Sequence, residues 1–352
     1  MLETQFDFLT SLLESPSPSG YERPVQEHVR AFCEPFCDGL KTDWFGNVMA
    51  TVNPGGSPRI MLDGHCDQIG LLVKHIEEAG FLRVSPIGGW DPQMLLGQRM
   101  QVWTADGPLC GAVARKPIHL LTQSERKQIP EIKDLWVDIG ARDRAEASER
   151  VRVGDPVTVE LGFRKLSNGL LCGPGMDNRV GVWVVMSALK LISERTPHAE
   201  VTAVSSVQEE VGLRGARTSA FEIDPQLAIA VDVTHATDCP SIDQGEHGDI
   251  RLGRGPVLVR GPNANPVMFQ QICELAEQHE IPLQINALSK PASNDGNAIQ
   301  VSRAGVATAI VAIPNRYMHS PVEVIALEDL EHAARIIAEF CLAVDGQSDF
   351  TP

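Results

Sequence analysis

At 352 residues, with 43% apolar and 22% charged side chains, the chain has the make-up of a soluble globular enzyme and the length for one large domain plus a smaller one. Its 30 basic against 46 acidic residues leave a formal charge of −16, which repels phosphate backbones and anionic lipid and so argues against nucleic acid or membrane as partners. The opening MLETQFDFLTSLLES reads as an amphipathic helix rather than an export signal, no apolar run approaches the roughly 18 residues of a bilayer span, and the eight scattered cysteines lack zinc-finger spacing, which together point to a reducing cytoplasm.

Two helical patterns open the chain, parted by the SPSPSG loop at Ser15 to Gly20, and a strand is expected near Gly46 to Val52. RIMLDGHCD follows, an apolar run from Ile60 to Leu62 that ends in polar residues. From Gly70 to about Glu160 the texture changes. LLVKHIEEAGFLRVSPIGG predicts a hairpin turning near Ala79-Gly80, and MQVWTADGPLCGAVA another at Asp106-Gly107. LWVDIGA and DPVTVEL add short strands, so this stretch reads as a β-rich module.

Alternation of helix and strand then resumes. A helix is predicted from about Asp177 to Glu194, strands at VTAVSSV, QLAIAVDV and ATAIVAI, and helices at PVMFQQICELAEQHE and LEDLEHAARIIAEFCLAV. The fold class is α/β, a mixed and largely parallel sheet sandwiched by helices, with a small β-rich domain inserted. The expected boundaries are 1–68 and 166–346 for the discontinuous catalytic domain, 69–165 for a barrel-like insertion, and 347–352 for a flexible tail.

Chemistry enters where polar residues fall at strand ends, the place where α/β sheets build their sites. His65 and Asp67 follow the Ile60 to Leu62 strand, and Glu209 and Glu210 follow Val201 to Val207. Asp232 closes Leu227 to Val233, His319 lies beyond Thr308 to Ile313, and Asp177 opens the helix after CGPGM. Gathered in a partly dry cleft, so many carboxylates would repel, each unpaired buried charge costing on the order of several kcal/mol. Two divalent cations offset that charge. Imidazole and carboxylate suit zinc, or cobalt or manganese, and two ions sharing a carboxylate and a water would stand roughly 3.5–4 Å apart. A lone His-x-Asp or Glu-Glu pair is usually incidental; their order at successive strand ends carries the signal.

The chain at this point resembles the tetrahedral aminopeptidases of metallopeptidase family forty-two, relatives of the glutamyl aminopeptidases, some of them labelled endoglucanases. The matching segments are GYE, DWFGNVMA, DGHCDQIGLLV, VDIGA, GPGMDNRVG, VQEEVGLRGA, AVDVTHATDCP, SNDGNAIQ and PNRYMHSPVE, so the resemblance spans essentially the whole chain. It implies the co-catalytic zinc peptidase fold, with Asp177 bridging two metals, His65 and Asp232 completing one, and Glu210 and His319 the other. It implies Glu209 as the general base and Asp67 as the carboxylate orienting the His65 imidazole. Asp295, in SNDGNA, is expected near the site, holding the substrate's ammonium. The substrates implied are short peptides, and the assembly a homo-dodecamer built through the inserted domain. Gln68 stands where many relatives carry an acid, and Cys66 fills the variable slot of H-x-D; neither removes a ligand.

Other histidines have plainer readings: His75 in a hairpin strand, and His28, His279 and His332 in helices; His119 sits on the β module, its functional alternative being loop packing near the cleft, and His235 and His247, close after Asp232, could line the pocket, with a structural role preferred. Gly173 and Gly175 are expected to make the tight turn that presents Asp177, not a phosphate cradle, since no Lys-Ser/Thr follows. Related two-metal dipeptidases and deacylases share the order of ligand types but usually insert their extra domain between later ligands. A glycosidase would use carboxylates without metals and aromatic sugar platforms, for which the few unclustered Trp and Tyr give little basis. A silent scaffold would be expected to have lost Glu209.

Overall fold

The computed structural model describes residues 3–352. Among them the main sheet has eight strands, in the order Gly39–Thr42, Val48–Val52, Glu200–Ser206, Arg59–His65, Leu227–His235, Ala307–Asn315, Val257–Arg260 and Gln284–Ala287. The central run from Glu200–Ser206 to Ala307–Asn315 is parallel, and antiparallel neighbours flank it on both sides. The α/β expectation with a mixed, largely parallel sheet holds.

Alternation along each strand explains why both faces are covered. Ile60 and Leu62 face a large core shared with the helices Glu3–Glu14, Arg23–Cys33, Met176–Ser193, Pro266–Gln278 and Leu327–Ala343. Met61 faces the opposite core, formed with Arg214–Ile223 and Asp295–Gln300. Both parities are therefore apolar, and the strands read as continuous hydrophobic runs. The Met176–Ser193 helix is buried along most of its length because the sheet lies on one side and Glu3–Glu14 and Leu327–Ala343 on the other. Its Val, Leu and Trp side chains each contribute about 1.5–3 kcal/mol of burial.

Strands between Gly70 and Val159 close into a barrel, in the order Gly70–Ile76, Leu82–Ile87, Trp136–Asp138, Gly107–Ala114, Arg99–Thr104 and Pro156–Val159. Its interior is a core of its own, with Leu71, Val73, Leu82, Val102, Val137 and Val157 at the centre. The Tyr21 hydroxyl donates to the Gly154 carbonyl at 2.6 Å, and Pro18 bridges to Gln68, tying the barrel to the SPSPSG loop.

A small sheet of Arg164–Lys165, Leu170–Gly173 and Glu323–Ala326 sets the approach to Asp177 beside the segment after His319. Phe350 packs on Phe340 with ring centroids 6.0 Å apart, and its carbonyl accepts from Asn265 Nδ2 at 2.8 Å. Among the described residues no helix is long and apolar enough to cross a membrane.

Candidate metal centre and active site

The parallel strands bring their carboxyl ends to one edge of the sheet. His65 is the last residue of Arg59–His65, Asp232 lies near the end of Leu227–His235, and Glu209 and Glu210 follow Glu200–Ser206. His319 follows Ala307–Asn315 in a loop closed by two backbone hydrogen bonds between Arg316 and Val324, each 3.0 Å. Asp177, expected to open a helix, arrives from the turn that precedes the regular helix. Asp177 (φ −71, ψ 109) and Asn178 (φ −123, ψ 36) are non-helical, joined by a cis peptide, and regular helix begins after them.

Gly175 has φ 68, the left-handed region that favours glycine, and a Cβ there would stand 2.0 Å from Arg179 Nη2. Arg179 is fully buried and donates to the carbonyls of Pro174, Gly175, Leu12 and Ser15 at 2.6–3.0 Å. The guanidinium thus locks the turn that displays Asp177.

The two oxygens of Asp177 face different histidines. Oδ1 is 3.3 Å from His65 Nε2, and Oδ2 is 3.2 Å from His319 Nε2. His65 Nε2 also stands 3.6 Å from Asp232 Oδ1, and His319 Nε2 3.5 Å from Glu210 Oε1. Two ligands about 2.0–2.1 Å from a tetrahedral zinc stand roughly 3.3–3.4 Å from each other, so these separations suit donors around a common ion better than direct hydrogen bonds. Grouped by ligand-atom spacing, one cation could sit among His65, Glu209 and Asp232 and another among Asp177, Glu210 and His319, every donor in a group lying within 4.8 Å of the others. Glu209 makes the longest contact, Oε2 being 3.8 Å from His65 Nε2.

The donor set fits divalent cations. Glu210 Oε1 is buried without a hydrogen-bond partner among the described residues, an expensive state for a carboxylate oxygen unless a cation is its partner. Protonation tells the same story. Burial alone would push His65 down, yet Glu209, Asp177, Asp232 and Asp67 around it raise it well above the usual range. Asp177 and Glu210 lift His319 to about 11. Burial pushes Glu209 up to about 10, with Asp232, Asp295 and Glu210 adding to the rise, and Glu210 up to about 7. Burial acts upward on Asp177 too, but the two histidines hold it well below the carboxylate range. Without cations the cluster must gather protons to neutralise itself.

The remaining acids are fasteners. Asp67, fully buried, accepts from the Glu209 amide at 2.9 Å, the Glu210 amide at 3.2 Å and the Ser19 hydroxyl at 2.6 Å. Its Oδ1 lies 3.4 Å from His65 Nδ1, which makes a closer contact of 3.1 Å with the Asp67 carbonyl oxygen. The backbone therefore takes the main share of orienting the imidazole, while the carboxylate braces Glu209 and Glu210. Asp295 opens Asp295–Gln300 and is only 3% exposed; the Ser206 hydroxyl donates to it at 3.1 Å and to Asp63 at 3.3 Å. Its neighbours Ser293, Asn294 and Asn297 line the cavity and Asp295 does not, so a hold on a substrate's ammonium would need its side chain to turn toward that space.

The cluster opens into a cleft of about 650 Å³ lined by His65, Asp177, Glu209, Glu210, Asp232 and His319. Thr234, His235, Asn286, Leu288 and Met318 also line a neighbouring cavity of about 820 Å³, where His247, Ile242 and Ile285 join them. His235 and His247, read from sequence as structural, thus face space beside the metal centre. The closeness of His235 to Asp232 was the available signal; nothing in the local pattern pointed to Asn286 or Leu288. Gly88 and Gly89, at the exit of the Leu82–Ile87 strand, also reach the site: a Cβ on Gly89 would stand 3.6 Å from His319 Nδ1, and one on Gly88 3.3 Å from Glu210 Oε2.

Comparison with known proteins shows the family. The model of the family described as M42 glutamyl aminopeptidase matches residues 46–336. The lysyl aminopeptidase of Pyrococcus furiosus is 38% identical over 99% of both chains. The crystal structure of a TET aminopeptidase from the marine sediment archaeon Thaumarchaeota archaeon SCGC AB-539-E09 superposes with a TM-score of 0.93, at 35% identity, over 98% of both chains. A TET1 peptidase of Pyrococcus horikoshii, described as able to assemble into a tetrahedron or a large octahedral shell, is similar with a TM-score of 0.85 at 31% identity, over 97% of this chain and all of its own.

Proposed function

Because the chain belongs to the M42 glutamyl aminopeptidase family, we propose that it is a two-metal aminopeptidase that removes residues from the N-termini of short peptides. One observation carries the dinuclear reading: the two oxygens of Asp177 face two histidines, each accompanied by its own carboxylate. Asp177 would serve both ions, His65 and Asp232 would help hold one, and Glu210 and His319 the other; Glu209, spaced with His65 and Asp232, is kept for proton transfer. The donors accept zinc and also cobalt or manganese. When bound, two such cations polarise the scissile carbonyl and make a nucleophile available from water at neutral pH.

Glu209 is the general base. It takes a proton from the attacking water and returns it to the leaving amine. Its contact with His65 is the longest in the cluster, which leaves its oxygens freer to move a proton. Asp67 keeps Glu209 in place through the peptide N–H, and Arg179 and Gly175 keep the bridging carboxylate at the mouth of its turn.

The family description says glutamyl and the Pyrococcus furiosus relative is named lysyl, so neither fixes the first residue preferred by this chain. We assign it a homo-dodecameric assembly of tetrahedral form, made in part through the inserted barrel. The Pyrococcus horikoshii peptidase supports this, as do Ile118, Leu120 and Ile129, which are 59%, 66% and 66% exposed on the barrel's long connection. A cytoplasmic setting accords with eight cysteines that are all free thiols among the described residues.

A panel of aminoacyl chromogenic substrates, assayed after chelation and re-addition of zinc, cobalt or manganese, tests the function. Cleavage restored by the ions is expected; chelator-resistant cleavage, or none on any aminoacyl substrate, would remove the assignment. Glu209→Gln should retain both ions and lose about 10²–10⁴-fold in kcat; full activity in that variant would take Glu209 out of the mechanism.

A further inference from the structure

Glu323 has no part in the scheme above, yet it is bonded to both segments that deliver the second metal position. It is 2% exposed at the start of Glu323–Ala326, cross-strand from Gly173. Its Oε2 accepts from the Asp177 amide at 3.0 Å, and its Oε1 from the His319 amide at 2.9 Å. One carboxylate therefore fastens two backbones that are far apart in sequence. Each oxygen of the side chain takes one of the two N–H donors, so the carboxyl group spans the gap between the segments by its shape.

The His319 loop needs such a fastener. Tyr317 (φ 62) and His319 (φ 59) both occupy the left-handed region without being glycine, a strain that persists only where the surroundings over-determine the conformation. The Arg316–Val324 bonds close the base of the loop, and the Glu323 bond to His319 holds its tip. We propose that Glu323 is a positioning residue that sets the spacing between Asp177 and His319, and so the affinity of the second metal position. This rests on the dinuclear reading above.

Glu323→Gln is the direct test, because it keeps the shape. One amide oxygen can accept from only one of the two N–H groups, and the other N–H then meets an NH2. Metal-stripped native enzyme and variant are titrated with cobalt(II), following the visible absorption of the bound ion, with equilibrium dialysis for stoichiometry. Native enzyme is expected to take up two ions per subunit. The variant should bind the second ion about 10–100-fold more weakly and the first nearly unchanged. A purely structural role would lower the melting temperature and leave both affinities alone. Should Glu323→Gln not fold, Glu323→Asp carries the test: it keeps two equivalent oxygens, but its shorter arm cannot hold both bonds, and the same selective weakening is expected. Two ions bound with native affinity in whichever variant folds overturns the proposal. A native enzyme that binds only one ion refutes the dinuclear reading instead, and the two failures are thereby distinct.

Discussion

Loading the metal centre should expel protons, and the number follows from the site. In the metal-free protein near neutral pH, His319, raised to about 11, is an imidazolium, and so is His65, raised well above its ordinary range by the acids around it. Glu209, pushed to about 10 by burial, carries a proton as well, and Glu210, at about 7, carries one part of the time. Imidazoles must be neutral to bind metal, and cations placed among the acids restore their ionised forms. Summed over these groups, roughly three protons per subunit leave when two ions enter. The combined association constant should then rise by about three powers of ten per pH unit near neutrality. Calorimetric titration of stripped enzyme with zinc, repeated in buffers of different ionisation enthalpy, gives the count as the slope of apparent enthalpy against buffer enthalpy. A slope near zero would refute the reasoning, since it would mean that the acids and imidazoles do not share one low-dielectric cluster.

Stability of the stripped protein should fall as pH rises. His319 and Glu209 both have folded-state values above their unfolded ones, so between about pH 6 and 10 the folded state holds protons that the unfolded chain has released. The contribution of His319 is complete below its unfolded value of about 6.5 and that of Glu209 below about 4.5, and both are lost toward the alkaline end; thermal melts at pH 6 and pH 9 should show the fall, and the metal-loaded enzyme should show it far less. Gly175→Ala drives a methyl into Arg179 in a left-handed backbone, and displacing the guanidinium from carbonyls of the turn should cost about 3–5 kcal/mol in urea unfolding; a loss below about 1 kcal/mol would mean that the turn has room to yield. Asp67→Asn leaves either the Glu209 or the Glu210 amide facing an NH2, and kcat should drop about 10–100-fold with metal content retained. Unchanged kcat would show that the backbone holds the two glutamates without it.

The sequence is most legible where position along a strand does the work. His65, Asp232, Glu209, Glu210 and His319 follow apolar runs whose ends the parallel sheet must bring together, so their convergence follows from topology. Asp177 was readable through Gly175, which signals a turn, although its backbone departs from the helix expected there. Fasteners are less legible. Glu323 and Arg179 look like ordinary surface charges until the fold buries them, because their partners are backbone groups of remote segments that no local pattern names. Asp295 shows the converse: a resemblance placed it near the site, but not which way its side chain turns. Phe350 is equally hard to read locally, since its partner Phe340 lies on a helix that the polar flanking composition does not name.

The glycine pair at Gly88 and Gly89 makes the barrel more than an appendage. A Cβ on Gly88 would meet Ile69 at 2.6 Å and Glu210 at 3.3 Å, while one on Gly89 would reach only ordinary contact with His319, so Gly88 is where the barrel presses nearest the site. On the assembly proposed above, a push delivered to the barrel by a neighbouring subunit would arrive at Glu210 through a residue that has no side chain. A larger residue at Gly88 would crowd Ile69 and Glu210 together.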